Sequence, residues 1–108
     1  MDITRQGDLD IFQIEALPKK LKLKKDTIVA YGEVTGHHHR LVALEPRTKV
    51  KVFIADDIQL TVYFEIKNGK AILEHQEHNV IEFNPGIYQI KTETEYDYFL
   101  EESRKVID

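Results

Sequence analysis

Apolar and polar positions alternate with a period of two along most of the chain, the pattern of strands buried on one face. In Leu9-Asp10-Ile11-Phe12-Gln13-Ile14-Glu15 the alternation largely holds, and Pro18 follows as a stop. Leu21 and Leu23 alternate with lysines, and Thr27 to Tyr31 is β-branched and aromatic up to Gly32. His39 to Leu44 forms a further candidate strand, closed by Pro46. In Thr48 to Ile54 the residues Val50, Val52 and Ile54 share a face. In Ile58 to Ile66 the residues Leu60, Val62, Phe64 and Ile66 do the same. Asn68-Gly69 is the strongest short-range hairpin signal, because a two-residue type I′ turn needs positive φ at both central positions. It predicts that Ile58–Lys67 pairs with Lys70–His75. Val80 to Phe83 and Ile87 to Lys91 complete the set, separated by the turn signal Asn84-Pro85-Gly86.

The period changes in the tail. Tyr96, Phe99, Leu100 and Val106 fall at helical spacing, Thr94 precedes them, and Asp97 suits the positive end of a helix dipole. A short C-terminal helix over 95–106 is expected, covering an open end or edge of the sheet. The fold class is then mainly β: a small antiparallel β-barrel, roll or sandwich of about eight short strands with a short C-terminal helix. Residues 1–108 read as one domain.

Composition narrows the chemistry. The 108 residues suffice for a core without covalent staples. There are no cysteines, which removes disulfides, thiolate metal sites and cysteine nucleophiles. The opening MDITRQGDLD is polar, unlike a signal peptide, and no apolar run reaches the ~20 residues of a membrane span. The expected location is the cytoplasm. A net charge of −4 repels phosphate backbones on average, so nucleic acid is not the expected partner. Lys19, Lys20, Lys22, Lys24 and Lys25 are the local exception. They read first as a solvated edge strand guarded against pairing, and second as an anion-binding patch.

The histidines carry the sharpest signal. All 5 fall in two short clusters, His37-His38-His39 and His75-Gln76-Glu77-His78. In an extended chain His37 and His39 point to one face and His38 to the other. His-x-His on one strand face brings two imidazoles within reach of one metal ion. His75 and His78 reach a common site only if Gln76-Glu77 turns or bulges. The candidate metal set is His37, His39, His75 and His78 with Glu77. Neutral imidazole and carboxylate suit Zn, Fe, Mn or Ni, and three ligands with one open position would support Lewis-acid or activated-water chemistry. The bland alternatives are a hydrogen-bonded turn for His37 and His39, a strand-end polar pair for His75 and His78, and a surface residue for His38. A metal-free proton-transfer or pH-sensing site is also compatible with these residues. Arg5-Gln6-Gly7-Asp8 reads as a turn entering the first strand, and Asp56-Asp57 as a solvated loop. Walker-type loops, dinucleotide fingerprints and nucleophile elbows are absent from the sequence.

Arg5-Gln6-Gly7-Asp8, Gly32-Glu33-Val34-Thr35-Gly36-His37-x-His39, His75-x-Glu77-His78, Pro85-Gly86-x-Tyr88 and Glu95-Tyr96 together resemble a group of small uncharacterised bacterial and phage-associated proteins. The resemblance spans nearly the whole chain and implies no particular activity. A looser likeness to cupins rests on His-x-His followed by a later histidine among short strands. Tyr31 stands where the cupin pattern has glycine, and Pro85-Gly86 follows the second histidine cluster instead of preceding it. That likeness is one of architecture.

Three functions fit these residues. One is a β-domain with a histidine-lined pocket for a divalent metal, extending to a hydrolase-like metalloenzyme. Another is a non-catalytic accessory or interaction module of phage or mobile-element origin, homo-oligomeric through its strand edges. The third is an anion- or nucleic-acid-binding module built on Lys19–Lys25. Enzyme status and any small-molecule ligand stay open at the level of sequence.

Overall fold

The computed structural model of the chain describes residues 3–31, 37–56, 60–76 and 78–92. Within these the chain forms ten strands and no helix. They are β1 (Ile3–Gln6), β2 (Leu9–Ile14), β3 (Leu21–Leu23), β4 (Ile28–Tyr31) and β5 (His38–Ala43). Then follow β6 (Lys49–Ala55), β7 (Val62–Lys67), β8 (Ala71–Glu74), β9 (Ile81–Phe83) and β10 (Gly86–Thr92). Six of them build one sheet in the order β1-β2-β10-β7-β6-β3, and four build a second in the order β4-β5-β8-β9. Every pairing is antiparallel.

The mainly β reading holds. Of the expected alternatives, two antiparallel sheets exclude the closed barrel, and the described strands number ten instead of about eight, with β1 ahead of the first one expected. The expected helix over 95–106 lies outside the described residues.

The sheets share one core. Alternation directs Leu9, Ile11, Val52, Phe64, Ile66 and Ile90 inward from the larger sheet, all at most 5% exposed. Val29, Leu41, Ala71, Leu73 and Phe83 meet them from the smaller one. Phe64 is fully buried at the centre. Its ring stacks on Tyr88 of its own sheet at 4.9 Å between centroids and meets Phe83 of the other edge-on at 5.5 Å. Both arrangements suit the quadrupoles of aromatic rings.

The chain passes between sheets four times, after β3, β5, β7 and β9. Two of the strongest turn signals mark such crossings. Asn68-Gly69 does not join a hairpin, because β7 already has β6 on one side and β10 on the other, and β8 belongs to the second sheet. Asn68 has φ +64° but Gly69 has φ +142°, away from the values of a type I′ turn. A side chain at Gly69 would also collide with Thr48 Oγ1, at the neighbouring crossing between β5 and β6. Asn84-Pro85 carries the chain from β9 to β10, and Gly86 is already paired opposite Ile66.

Of the lysine run, Lys22 alone lies on a strand, and that strand is at an edge. β3 is the outer strand of the larger sheet, bonded only to β6, and Lys22 is exposed on it.

Phe64→Ala removes the ring that both sheets touch. It is expected to cost about 3–5 kcal/mol of unfolding free energy, against a total of about 5–15 for a domain of this kind. Chemical denaturation measures it, and a loss below about 1 kcal/mol would show that this ring is not central to the core.

Candidate functional site

β5 opens with the first histidine cluster. Alternation places His39 with Leu41 on the inner face, 2% exposed, and turns His38 with Arg40 to the other side. His37 precedes the strand and is half-buried. The second cluster follows β8: the chain leaves the sheet at His75, bends at Gln76 and bends again at His78. These bends bring His75 and His78 together, with ring centroids 4.7 Å apart.

The two clusters meet. His39 lies 4.3 Å from His75 and 6.3 Å from His78 between ring centroids, and His37 lies 5.9 Å from His75, edge-on. Pairing of β5 with β8 explains the meeting, since Arg40 sits opposite Glu74 and the histidines flank that pair on each strand. Arg40 donates to Glu74 through Nε at 3.1 Å and Nη2 at 2.6 Å. Below it, the backbone N–H of His38 donates to Oε1 of Gln76 at 2.9 Å. The strand start and the loop after β8 are thereby tied to one another.

The larger sheet closes the site from the opposite side. β1 and β2 form a hairpin through Gly7-Asp8, with Gln6 paired opposite Leu9. Gly7 has φ +60°, the conformation a two-residue hairpin of this kind demands at its first central position. A Cβ there would stand 2.9 Å from Nε2 of His78 and 3.5 Å from Cε1 of His39, so glycine also admits the imidazoles. Gln6 is 3% exposed. Its Nε2 donates to the carbonyls of Leu73 and Asn79, each at 2.9 Å, and its Oε1 lies 2.7 Å from Nδ1 of His39.

Burial first, and the proximity of His75 second, lower the pKa of His39 to about 4, with Asp8 opposing from the hairpin turn. His39 is a neutral imidazole at neutral pH.

His37, His39, His75 and His78, singled out from the sequence, thus fall in one cluster, while Glu77 lies outside the described residues. His38 takes the opposite face, where its ring Nδ1 lies 3.4 Å from Nε2 of Gln76. Among the described residues no group of three or more His, Asp or Glu side chains stands ready-made to hold a metal ion. Gln6 and Gly7 belong to the site but read from the sequence only as a turn. A signal for Gln6 was present: alternation carried back across a two-residue turn from Leu9 and Ile11 aims Gln6 inward. Asp56 is exposed, as a solvated loop residue should be. Tyr88 belongs to the core, where its hydroxyl donates to the Asn84 carbonyl at 2.7 Å and burial raises its pKa.

Residues 5–93 match DUF8820, a domain of unknown function. The chain belongs to the DUF8820 family. The match takes in both histidine clusters and the hairpin from Arg5 onward. It is consistent with an uncharacterised small domain and confirms neither the motif pattern, nor a phage association, nor the likeness to cupins. No curated protein and no solved structure matches this DUF8820 chain. No helix among its described residues is long and apolar enough to cross a membrane.

The depressed pKa of His39 links its protonation to stability. In chelator-treated protein the unfolded chain takes up a proton at His39 near the ordinary value of 6.5, and the folded chain only near 4. The contribution is complete above about pH 6.5 and is lost progressively as the pH falls from there towards 4. Denaturation midpoints measured across that window should fall for the native chain and fall less steeply for His39→Gln. Parallel slopes would contradict a neutral, buried His39.

Proposed function

We propose that this domain binds a divalent transition-metal ion through His39, His75 and His78, with His37 as a fourth imidazole within reach. One observation carries the reading: imidazoles from two distant stretches of chain gather in one cluster, although their nitrogens do not converge there as a ready-made metal site. With metal–nitrogen bonds of about 2.0–2.1 Å and tetrahedral angles, two ligating rings have centroids about 5 Å apart. The contacts of 4.3, 4.7, 5.9 and 6.3 Å bracket that value. Burial supports the reading too, since a neutral imidazole is the ligating form. Turning the His75 and His78 rings would be the adjustment that brings nitrogens onto one ion.

Zn, Fe, Mn and Ni all suit such a set. Bound by three imidazoles with a position open, the ion would supply Lewis acidity for a hydrolase-like reaction. The residues of the chain would hold it, keep His39 neutral and shield one side of the site with the β1–β2 hairpin.

A second reading, a non-catalytic module that self-associates through sheet edges, draws on a different observation. Ile3 on β1, Leu23 on β3 and Tyr31 on β4 are 62%, 59% and 71% exposed, and each lies on an edge strand. Exposed apolar edge strands invite pairing with another chain.

Elemental analysis of untagged protein, purified without chelators or nickel resin, separates these readings when combined with sedimentation. The metal reading expects about one equivalent of Zn, Fe, Mn or Ni per chain. It also expects affinity in His39→Ala and His75→Ala to drop by more than the roughly 10–100-fold typical of outer-shell changes. A metal-free chain that neither takes up Zn(II) nor Ni(II), yet sediments as a stable oligomer, would overturn it in favour of the second reading.

A further inference from the structure

We infer that Gln6 is the positioning residue of the histidine cluster: its carboxamide holds His39 in the tautomer that carries hydrogen on Nδ1 and leaves the lone pair on Nε2. The inference rests on hydrogen-bond bookkeeping and needs no metal. It deepens the metal reading by naming the His39 nitrogen that would ligate.

A carboxamide has two N–H donors and one carbonyl acceptor group. Nε2 of Gln6 faces two carbonyl oxygens, those of Leu73 and Asn79, each at 2.9 Å. Carbonyl oxygens accept and cannot donate, so both must receive the N–H bonds. A carboxamide turned the other way would set Oε1 against both oxygens, and two buried bonds would become two repulsions. Oε1 is therefore the atom 2.7 Å from Nδ1 of His39. An amide oxygen only accepts, so the Nδ1–H of His39 donates to it. Neutral imidazole carries one ring hydrogen, and Nε2 is left as the basic nitrogen. That nitrogen belongs to a ring whose neighbours are His75 and His78. A hydrogen bond that fixes the tautomer of a histidine from behind is the recurring outer-shell device of metal-binding imidazoles.

The placement of Gln6 adds a second consequence. It lies on β1 of the larger sheet, and all three of its partners lie on the smaller sheet or the loop after β8. The residue that selects the His39 nitrogen is also a polar tie between the sheets at this end of the core. Anything bound at Nε2 of His39 is thereby linked to how the β1–β2 hairpin seats on β5 and β8.

The test reads the tautomer directly. Long-range ¹H–¹⁵N correlation spectra of ¹⁵N-labelled, chelator-treated protein at neutral pH distinguish an N–H ring nitrogen from a lone-pair nitrogen. His39 is expected to show the N–H pattern at Nδ1 and the lone-pair pattern at Nε2. The reverse assignment, or an average of the two, in the native chain overturns the inference, and no variant has to fold for that result to count. In Gln6→Leu that folds, the His39 signals should move towards the averaged pattern of a free imidazole. Titrated with Zn(II) alone, that variant should also bind roughly 10–100-fold more weakly than the native chain. Unchanged His39 signals in Gln6→Leu would overturn the positioning role. If the native chain shows the expected tautomer but takes up no Zn(II), the metal reading fails and the role of Gln6 stands. If Zn(II) binds while His39 carries its hydrogen on Nε2, the reverse holds.

Discussion

The carboxamide of Gln6 is the constraint on which the histidine site depends. It is buried where the two sheets meet, and its contacts reach from β1 to the Leu73 carbonyl and His39 of the smaller sheet and to the Asn79 carbonyl of the loop after β8. A buried amide left unsatisfied would cost about 1–3 kcal/mol per group, so the hairpin that carries Gln6 has one favourable seat on β5 and β8. That seat brings Gly7 against His78 and sets the electrostatic surroundings of His39. Leucine at the same position would pack, but it would leave two carbonyls and an imidazole nitrogen without their bonds.

The rest of the site follows from strand pairing. β5 and β8 are neighbours, so a histidine cluster at the start of one and a cluster at the end of the other come to the same place. Hydrogen bonding of His38 to Gln76 keeps the ends together where the ladder stops. His39 alone points into the core face, and its pKa near 4 follows from burial there. His78 is more exposed than His39, which is buried and held by Gln6.

Period-two alternation made most strands legible, and with them the inward Phe64 and Ile66 and the outward Lys49 and Lys51. The meeting of the histidine clusters was legible only as a condition, because it depends on β5 lying beside β8, which no local pattern encodes. Asn68-Gly69 misled for a related reason: its chemistry permits a sharp reversal, but whether the next strand pairs or crosses to another sheet depends on which edges are already taken. β7 is flanked on both sides, so the chain had to leave. Gln6 escaped notice because a polar residue beside a Gly-Asp turn ordinarily faces solvent. Its burial becomes meaningful only once His39, Leu73 and Asn79 are seen around it.

A double-mutant cycle between Gln6 and His39 tests the central interaction most directly. Unfolding free energies would be measured for the native chain, Gln6→Leu, His39→Leu and the double variant in chelator-treated buffer above pH 6.5, where His39 is neutral. The account predicts a coupling energy of about 1 kcal/mol or more, within the roughly 0.5–3 kcal/mol found for residues sharing a buried hydrogen bond. Additive single losses, with a coupling indistinguishable from zero, would contradict it.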